Sequence, residues 1–264
     1  LIVSATGRPV RSNEELTAAI QAAGGVPLTV VYRRSGARHT ATLTPTADEN
    51  GHYKAGVWVR DSGAGIGTMS FVDPQRGTFA GLGHSISDAD TGADLTLLSG
   101  EIVPVTITGC IRGAAGSPGE LRGEFAATPA GTVLANDAAG VYGSYTGSCT
   151  APALPVANLQ EVTPGEAELW TTVLGTTAQP YTIQVERVTM TGSDPNRNLL
   201  IRVTDKRLLD ATGGVVQGMS GSPIVQNGRL AAVLTHVLVN DPSRGYAIFA
   251  TTMLEKADAV ASSK

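Results

Sequence analysis

The sequence predicts a mainly β chain in which a small α+β unit precedes a larger domain of short strands. Of the 264 residues, 32 are glycine and 14 are proline, and only 16% are charged. This composition favours short strands joined by turns over long surface helices. In the second part of the chain, about a dozen short strand-like runs follow one another without helical crossovers, which is typical of a β-barrel or a β-sandwich.

The first unit covers residues 1–45 and contains one helix. Ser12 and Glu15 have the spacing of a capping box, and the apolar residues that follow recur at helical spacing. Gly24 and Gly25 end the helix, because glycine readily adopts the left-handed conformation found after a helix C-terminus. Strands are predicted at 1–5, 26–32 and 37–43. The last two of these form a hairpin.

Residues 46–55 are interpreted as a linker, because the stretch is polar and lacks strand periodicity. The larger domain then covers 56–264. Its clearest strands are predicted at 67–72, 101–108, 181–188, 199–203 and 229–239. Helical character is confined to 206–211 and to the tail at 252–260.

Composition also excludes several classes of partner. The formal net charge of -4 and the lack of a Lys/Arg cluster argue against nucleic acid. No apolar run reaches the roughly 18 residues of a membrane span. The histidines and cysteines lack metal-ligand spacing, and the glycines at 63–67 precede a strand rather than a helix, so neither a metal nor a nucleotide cofactor is expected.

Cys110 and Cys149 are predicted to be small, unpaired core residues.

The stretch from Gly218 to Pro223 has the pattern of a nucleophile on a tight turn. Ser220 stands between Gly218 and Gly221, and a strand-like run follows the proline. Glycine opens backbone conformations that are closed to other residues, so that successive N–H groups can converge as an oxyanion hole requires. Ser222 lies beside the proline, where a packing or turn role is expected. Ser220 is therefore the predicted nucleophile.

A serine nucleophile needs a general base, and histidine suits this role because its proton affinity lies near neutral pH. His84 follows two glycines directly behind a predicted strand, far upstream of Ser220, as expected for a base contributed by another barrel. His39 and His52 lie in the hairpin and in the linker and are expected to be solvated. His236 stands on the strand behind the nucleophile. There it either lines the pocket for the side chain that precedes the scissile bond or is a buried histidine bonded to a carbonyl.

An acidic residue must orient the histidine and stabilise its charged form. Asp205 follows a predicted strand shortly before the nucleophile turn, and spacing alone places it only modestly ahead of other candidates. Asp194 lies in a turn signature, and Asp210 follows two leucines on the short helical stretch. Asp88 and Asp90 are interpreted first as turn formers.

Three stretches of the chain, 80–92, 116–121 and 213–224, resemble the SpoIVB family of sporulation signalling serine peptidases. The resemblance extends from the first unit to the region around His236, which is nearly the whole chain. It implies an N-terminal PDZ domain, of which residues 1–45 correspond to the C-terminal part. It also implies that a chymotrypsin-like double β-barrel follows.

Carried over residue by residue, the catalytic triad of the family is His84, Asp205 and Ser220. The nucleophile loop is also similar to that of chymotrypsin-like enzymes, which implies that the N–H groups of Gly218 and Ser220 form the oxyanion hole. The implied activity is that of a serine endopeptidase that needs no cofactor. The alternative is a binding or scaffolding protein that keeps a peptidase-like barrel but has little or no turnover.

The resemblance further implies a substrate and a place of action. The substrate is a protein, by family a membrane-anchored regulator of an intramembrane protease that is cleaved outside the membrane, and self-cleavage is implied as well. The place of action is extracytoplasmic, in the space between forespore and mother cell. Since Leu1 already lies in a predicted strand, we expect the natural chain to begin upstream, and the lack of a signal segment gives no information.

Overall fold

The computed structural model describes residues 1–59, 63–88, 91–150, 153–192 and 194–262. Contacts divide the chain into two units, Leu1–Ala64 and Gly65–Lys264. In the smaller unit, the strands β1–β4 form a sheet in the order β2-β1-β3-β4. Its elements are β1 (Ile2–Ala5), β2 (Arg8–Pro9), α1 (Asn13–Ala23), β3 (Leu28–Arg34), β4 (Ala37–Leu43), β5 (Thr46–Ala47) and β6 (Tyr53–Lys54).

Helix α1 begins and ends where the sequence predicts. The hydroxyl of Ser12 accepts a hydrogen bond from the amide of Glu15 at 3.3 Å, and Gly24 ends the helix in the left-handed conformation with φ 58°. Leu16 and Ile20 are the buried residues of the helix, and they pack with apolar residues of β1 and β3. The predicted helix and hairpin of the first unit are therefore present.

The stretch 46–55, predicted to be a linker, is instead part of the smaller unit. Its two strands pair with each other, and the side chain of Gln21 on α1 bonds the backbone of Tyr53 in both directions, at 2.7 and 3.1 Å. Tyr53 and Ala55 also pack on the core of the unit. These contacts attach the polar stretch to the helix, and the first unit extends to Ala64. Hydrophobic periodicity in the sequence cannot reveal such contacts.

The larger unit begins with a five-stranded sheet in the order β7-β8-β13-β12-β9 and a separate ribbon of β10 and β11. The strands are β7 (Met69–Asp73), β8 (Thr78–Gly81), β9 (Glu101–Ile102), β10 (Val105–Ile111), β11 (Glu120–Phe125), β12 (Gly131–Asp137) and β13 (Gly140–Tyr145). The predicted strand 101–108 is thus divided between the sheet and the ribbon. Pro104 lies at the break, where it has no N–H to donate to a neighbouring strand.

The rest of the larger unit is a closed six-stranded barrel in the order β14-β15-β16-β19-β18-β17. Its elements are β14 (Gly165–Thr171), β15 (Gln179–Val188), β16 (Leu199–Val203), α2 (Lys206–Thr212), β17 (Pro223–Gln226), β18 (Arg229–Leu238), β19 (Asp241–Phe249) and α3 (Ala250–Ser262). Leu169, Ile183 and Leu234 are fully buried inside it. From the barrel, α3 reaches back to the five-stranded sheet, where Met253 packs with Ala80 and Tyr142.

The predicted mainly β class is confirmed, with one closed barrel and a second sheet that stays open. The edge strands of this open sheet are β7 and β9, and β9 contributes only two residues. The two cysteines are free, as predicted, but only Cys110 is partly buried. Cys149 is exposed, which corrects its assignment to the core.

Candidate active site

Ser220 lies in the turn that connects α2 with β17 of the barrel. Both flanking glycines have positive φ, 96° at Gly218 and 96° at Gly221, a conformation that side chains with a Cβ rarely adopt. Between them, Met219 is fully buried in the barrel core, whereas Ser220 is half-buried. The turn is thus anchored by one apolar side chain and presents the serine toward solvent.

Most amides in the turn 217–222 are hydrogen-bonded to carbonyls. The bonds run from Gln217 to Gly119 at 2.8 Å, from Met219 to Val216 at 3.2 Å, from Gly221 to Leu234 at 2.8 Å and from Ser222 to Met219 at 3.0 Å. The remaining two amides, those of Gly218 and Ser220, have no acceptor among the residues that the structure describes. Unpaired N–H groups at these two positions are available to stabilise an oxyanion beside the serine.

The ribbon of β10 and β11 fixes the peptide that precedes Gly218. The carbonyl of Gln217 accepts a hydrogen bond from the amide of Leu121 at 2.8 Å. Because the carbonyl and the N–H of a trans peptide point in opposite directions, this bond directs the N–H of Gly218 away from the ribbon. A flip of this peptide, which glycine at 218 would permit, has to break the bond to Leu121.

His84 reaches the barrel from the five-stranded sheet. It follows β8 after two residues with positive φ, Leu82 at 67° and Gly83 at 69°. A Cβ on Gly83 would come within 2.9 Å of the side chain of Thr235 on β18, so only glycine allows the loop to approach the barrel this closely. The loop thereby places His84, which is half-buried, against the strand behind the nucleophile.

The imidazole of His84 has a defined tautomer. Its Nδ1 lies 2.7 Å from the carbonyl oxygen of Ser85. A carbonyl can only accept, so Nδ1 carries the proton and donates it, which leaves Nε2 of the neutral ring with a free lone pair. That is the tautomer a general base needs, and here a backbone carbonyl selects it.

The structure brings His236 next to His84. Their ring centroids are 5.0 Å apart and the rings are inclined at 37°. The pKa of His236 is lowered from its ordinary value, first because surrounding protein removes water from its charged form and then because His84 and Arg197 are nearby. A neutral His236 adds no positive charge beside the base. Its predicted place in the substrate pocket stays a prediction.

The carboxylate of Asp205 has other partners than His84. It caps α2 by accepting from the amide of Arg207 at 2.8 Å, receives the guanidinium of the same residue at 2.7 Å, and accepts from the amide of Thr182 at 3.3 Å. Hydrogen bonding to Arg207, opposed by partial burial, lowers its pKa to about 2. The predicted contact with the imidazole is therefore absent from the described geometry.

The other acids considered do not replace it. The hydrogen-bond partner of His84 is Ser85, and no described carboxylate bonds the ring. Asp194 pairs with Arg197 at 3.0 Å, and Asp210 is exposed on α2. Asp88 accepts from the amide and the hydroxyl of Thr91, both at 2.9 Å, as expected of a turn former. Asp90 lies outside the described residues.

We expect Asp205→Ala to lower the free energy of unfolding by about 1 to 2 kcal/mol at neutral pH, because the helix cap is lost. The pKa of Asp205 in the folded protein, about 2, lies below the ordinary value of 3.8. The wild type should therefore have its full extra stability over Asp205→Ala above pH 3.8, and should lose it as the pH falls through about 2. Urea unfolding across this pH range measures the difference. Asp210→Ala, at an exposed position of the same helix, is the matched control and should cost little.

A different result would restore the triad assignment for Asp205. If Asp205→Ala unfolds like the wild type at every pH but loses most of its peptidase activity, the carboxylate acts on the imidazole and not as a cap. That outcome would also mean that α2 rearranges at its N-terminus during turnover.

Two residues of the site were not predicted from the sequence, and both form hydrogen bonds with the backbone of the turn 217–222. Leu121 and Thr68 bond the backbone around Ser220; Thr68 lies outside every motif, and Leu121 ends the family-like stretch 116–121 without being marked there as a functional residue. The sequence did carry one indirect signal, since the glycines at 63–67 stand directly before Thr68. A Cβ on Gly67 would come within 2.1 Å of the Cδ2 end of the Leu82 side chain, so the loop passes close to the segment that leads to His84.

Comparisons with known proteins show which family and which solved structures the chain resembles. The model of the family described as SpoIVB peptidase S55 matches residues 51–254. None of the curated proteins compared with the chain matches it. Among solved structures, the chain is similar to the active form of the Rv3671c protease from M. tuberculosis, with a TM-score of 0.35, 17% identity, and coverage of 77% of this chain and 93% of that one. It is also similar to the HtrA-type protease AlgW with a decapeptide, with a TM-score of 0.38, 14% identity, and coverage of 74% and 62%.

Proposed function

The chain belongs to the SpoIVB peptidase S55 family and is a serine endopeptidase, and we propose that Ser220 is its nucleophile and His84 its general base. Nε2 of His84 takes the hydroxyl proton as Ser220 attacks the peptide carbonyl, and it returns the proton to the leaving amine. The amides of Gly218 and Ser220 hold the oxyanion that forms. Water then hydrolyses the acyl-enzyme by the same route.

The hydrogen bonding of the turn 217–222 is the observation that carries this proposal. Four of its amides are paired, and the two left without an acceptor are those that an oxyanion hole at Ser220 would use. Unpaired amides at these two positions are the donors that an oxyanion hole beside Ser220 requires. The tautomer of His84, set by Ser85, supports the same assignment.

Asp205 is the third member of the triad that the family resemblance implies. Asp205 bonds Arg207 and Thr182, and it can orient His84 only if the first turn of α2 releases it. We propose that the carbonyl of Ser85 holds the imidazole in the described conformation. The contact of Asp205 with Arg207 also favours the alternative, a peptidase-like scaffold with little turnover.

The substrate and the place of action are proposed from the resemblance to the family. We propose that the chain cleaves a membrane-anchored regulatory protein in sporulation signalling, outside the membrane, and that it also cleaves itself. The smaller unit, with its helix and hairpin, is proposed to be PDZ-like. In the part of the chain that the structure describes, no helix is long and apolar enough to cross a membrane.

A fluorophosphonate probe tests the proposal, because it reacts only with a serine that is activated by an assembled site. We expect the purified chain to be labelled on Ser220, and labelling to disappear in Ser220→Ala. Ser222→Ala is the matched control, since Ser222 is fully buried and should not be the labelled residue. Peptide mapping of the labelled chain identifies the serine.

Two results would contradict the assignment. Labelling that survives in Ser220→Ala would place the nucleophile elsewhere. An unlabelled wild type that is folded and binds a protein partner would favour the scaffold.

A further inference from the structure

Five of the six carbonyls in the nucleophile turn, residues 217–222, accept a hydrogen bond from a described donor. Four of them accept from backbone amides: Gln217 from Leu121 at 2.8 Å, Met219 from Ser222 at 3.0 Å, Ser220 from Thr68 at 2.8 Å and Ser222 from Leu234 at 2.9 Å. The carbonyl of Gly218 differs, because its donor is a side chain, the hydroxyl of Thr68 at 3.2 Å. It is therefore the one carbonyl of this turn whose donor can be removed by a side-chain substitution.

Thr68 also contacts the loop that carries His84. Its carbonyl accepts from the amide of Leu82 at 3.2 Å, two residues before the histidine. Its amide donates to Ser220. One residue thus joins the nucleophile turn and the base loop through its backbone and fixes the turn a second time through its hydroxyl.

The proton of the Thr68 hydroxyl is available to the carbonyl of Gly218. Oγ of Ser222 lies 3.4 Å from Oγ1 of Thr68 but donates to Oγ1 of Thr171 at 3.0 Å. Ser222 and Thr171 are buried, with 0% and 1% of their surface exposed. A hydroxyl has one proton to give, so the proton of Ser222 is used on Thr171 and that of Thr68 is free for the carbonyl.

We propose that Thr68 is a positioning residue that keeps the oxyanion hole open, an inference that rests on the proposed function. The carbonyl of Gly218 and the N–H of Met219 belong to one peptide, which lies between the two unpaired amides of the hole. Thr68 holds its carbonyl end, and Val216 accepts from its N–H end at 3.2 Å. Gly218 has φ 96°. Because glycine adopts many backbone conformations with similar ease, the local chain alone does not hold this peptide in place.

Thr68→Val removes the hydroxyl and keeps the shape of the side chain. We expect kcat to fall about tenfold, the size expected for one lost hydrogen bond, with KM unchanged because substrate contacts remain. Thr68→Ser, which retains the hydroxyl, should restore most of kcat. The matched control is Thr78→Val, a buried threonine at the other end of β8 from His84, which should leave kcat unchanged.

Amide hydrogen exchange gives a second measurement that needs no turnover. In Thr68→Val, the amide of Met219 should exchange about tenfold faster than in the wild type, while Thr68→Ser and Thr78→Val keep the wild-type rate. A wild type that is never labelled by the probe would defeat the proposed function, and the exchange experiment would still decide the role of Thr68. If Thr68→Val matches the wild type in both kcat and Met219 exchange, the positioning role is wrong.

Discussion

His84→Ala is expected to lower kcat/KM about 10⁴-fold while the protein stays folded, because the proposed general base is lost. His236→Ala should lower kcat/KM no more than about tenfold, since the histidine touches the base but does not carry the proton in the proposed mechanism. Hydrolysis of a protein substrate, with circular dichroism as the check on folding, measures both. His52→Ala, at an exposed position of the smaller unit, is the control and should behave as the wild type.

The closeness of the two rings makes this comparison necessary. With centroids 5.0 Å apart, either ring lies near enough for its removal to disturb the other. If His236→Ala loses activity about 10⁴-fold and His84→Ala only about tenfold, the base is His236 and the assignment of His84 is wrong. Cleavage-site preference should be compared as well. A change in preference for His236→Ala with little loss of rate supports its place in the pocket, and no change would contradict it.

The features that could be predicted from the sequence depend on a few neighbouring residues. Ser12 and Glu15 identify a helix N-terminus within one turn of chain, and Gly218 and Gly221 identify a tight turn around Ser220. In each case the physical constraint, a cap or a positive φ, acts locally and leaves a mark in residue type. The mainly β class follows in the same way from turn residues between short apolar runs.

The features that could not be predicted depend on contacts between distant residues. Thr68 is 150 positions from Gly218, and nothing in its neighbourhood distinguishes it from other threonines. Spacing predicts Asp205 as the orienting acid, but Asp205 also stands directly before a helix, where a capping Asp belongs. Both interpretations fit the same local pattern, and only the positions of Arg207 and Thr182 distinguish them.

Two hydrogen bonds to the peptides on either side of Gly218 would keep the proposed oxyanion hole formed without a substrate. Leu121 on the ribbon fixes the peptide before Gly218, and Thr68 fixes the peptide after it. Closing the hole by a peptide flip would cost at least one of these bonds, each worth about 1 kcal/mol net. Preorganised donors of this kind need no rearrangement when charge develops on the substrate.

Gly221→Ala should be the most damaging single substitution near the site outside the reacting residues. A Cβ at this position would lie 1.9 Å from the carbonyl oxygen of Thr68 and 2.7 Å from the amide of Leu82, and both are backbone atoms. Backbone cannot move aside as a side-chain end can, so we expect a loss of about 3 kcal/mol or more in the free energy of unfolding. For a unit of this size, that corresponds to a fall in Tm of roughly 10 °C.

Gly228→Ala separates the clash from the conformational cost of positive φ. Gly228, in the turn between β17 and β18, has φ 73°, comparable to the 96° of Gly221, but a Cβ there would meet nothing within 4 Å. Its substitution should therefore cost only the strain of a left-handed alanine, about 1 kcal/mol, and should leave peptidase activity intact. Equal losses of Tm for the two variants would mean that the loops carrying Thr68 and Leu82 can retreat from the turn. Since the proposed site depends on Thr68 holding Gly218 and Ser220 in place, such freedom would also argue against a preformed oxyanion hole.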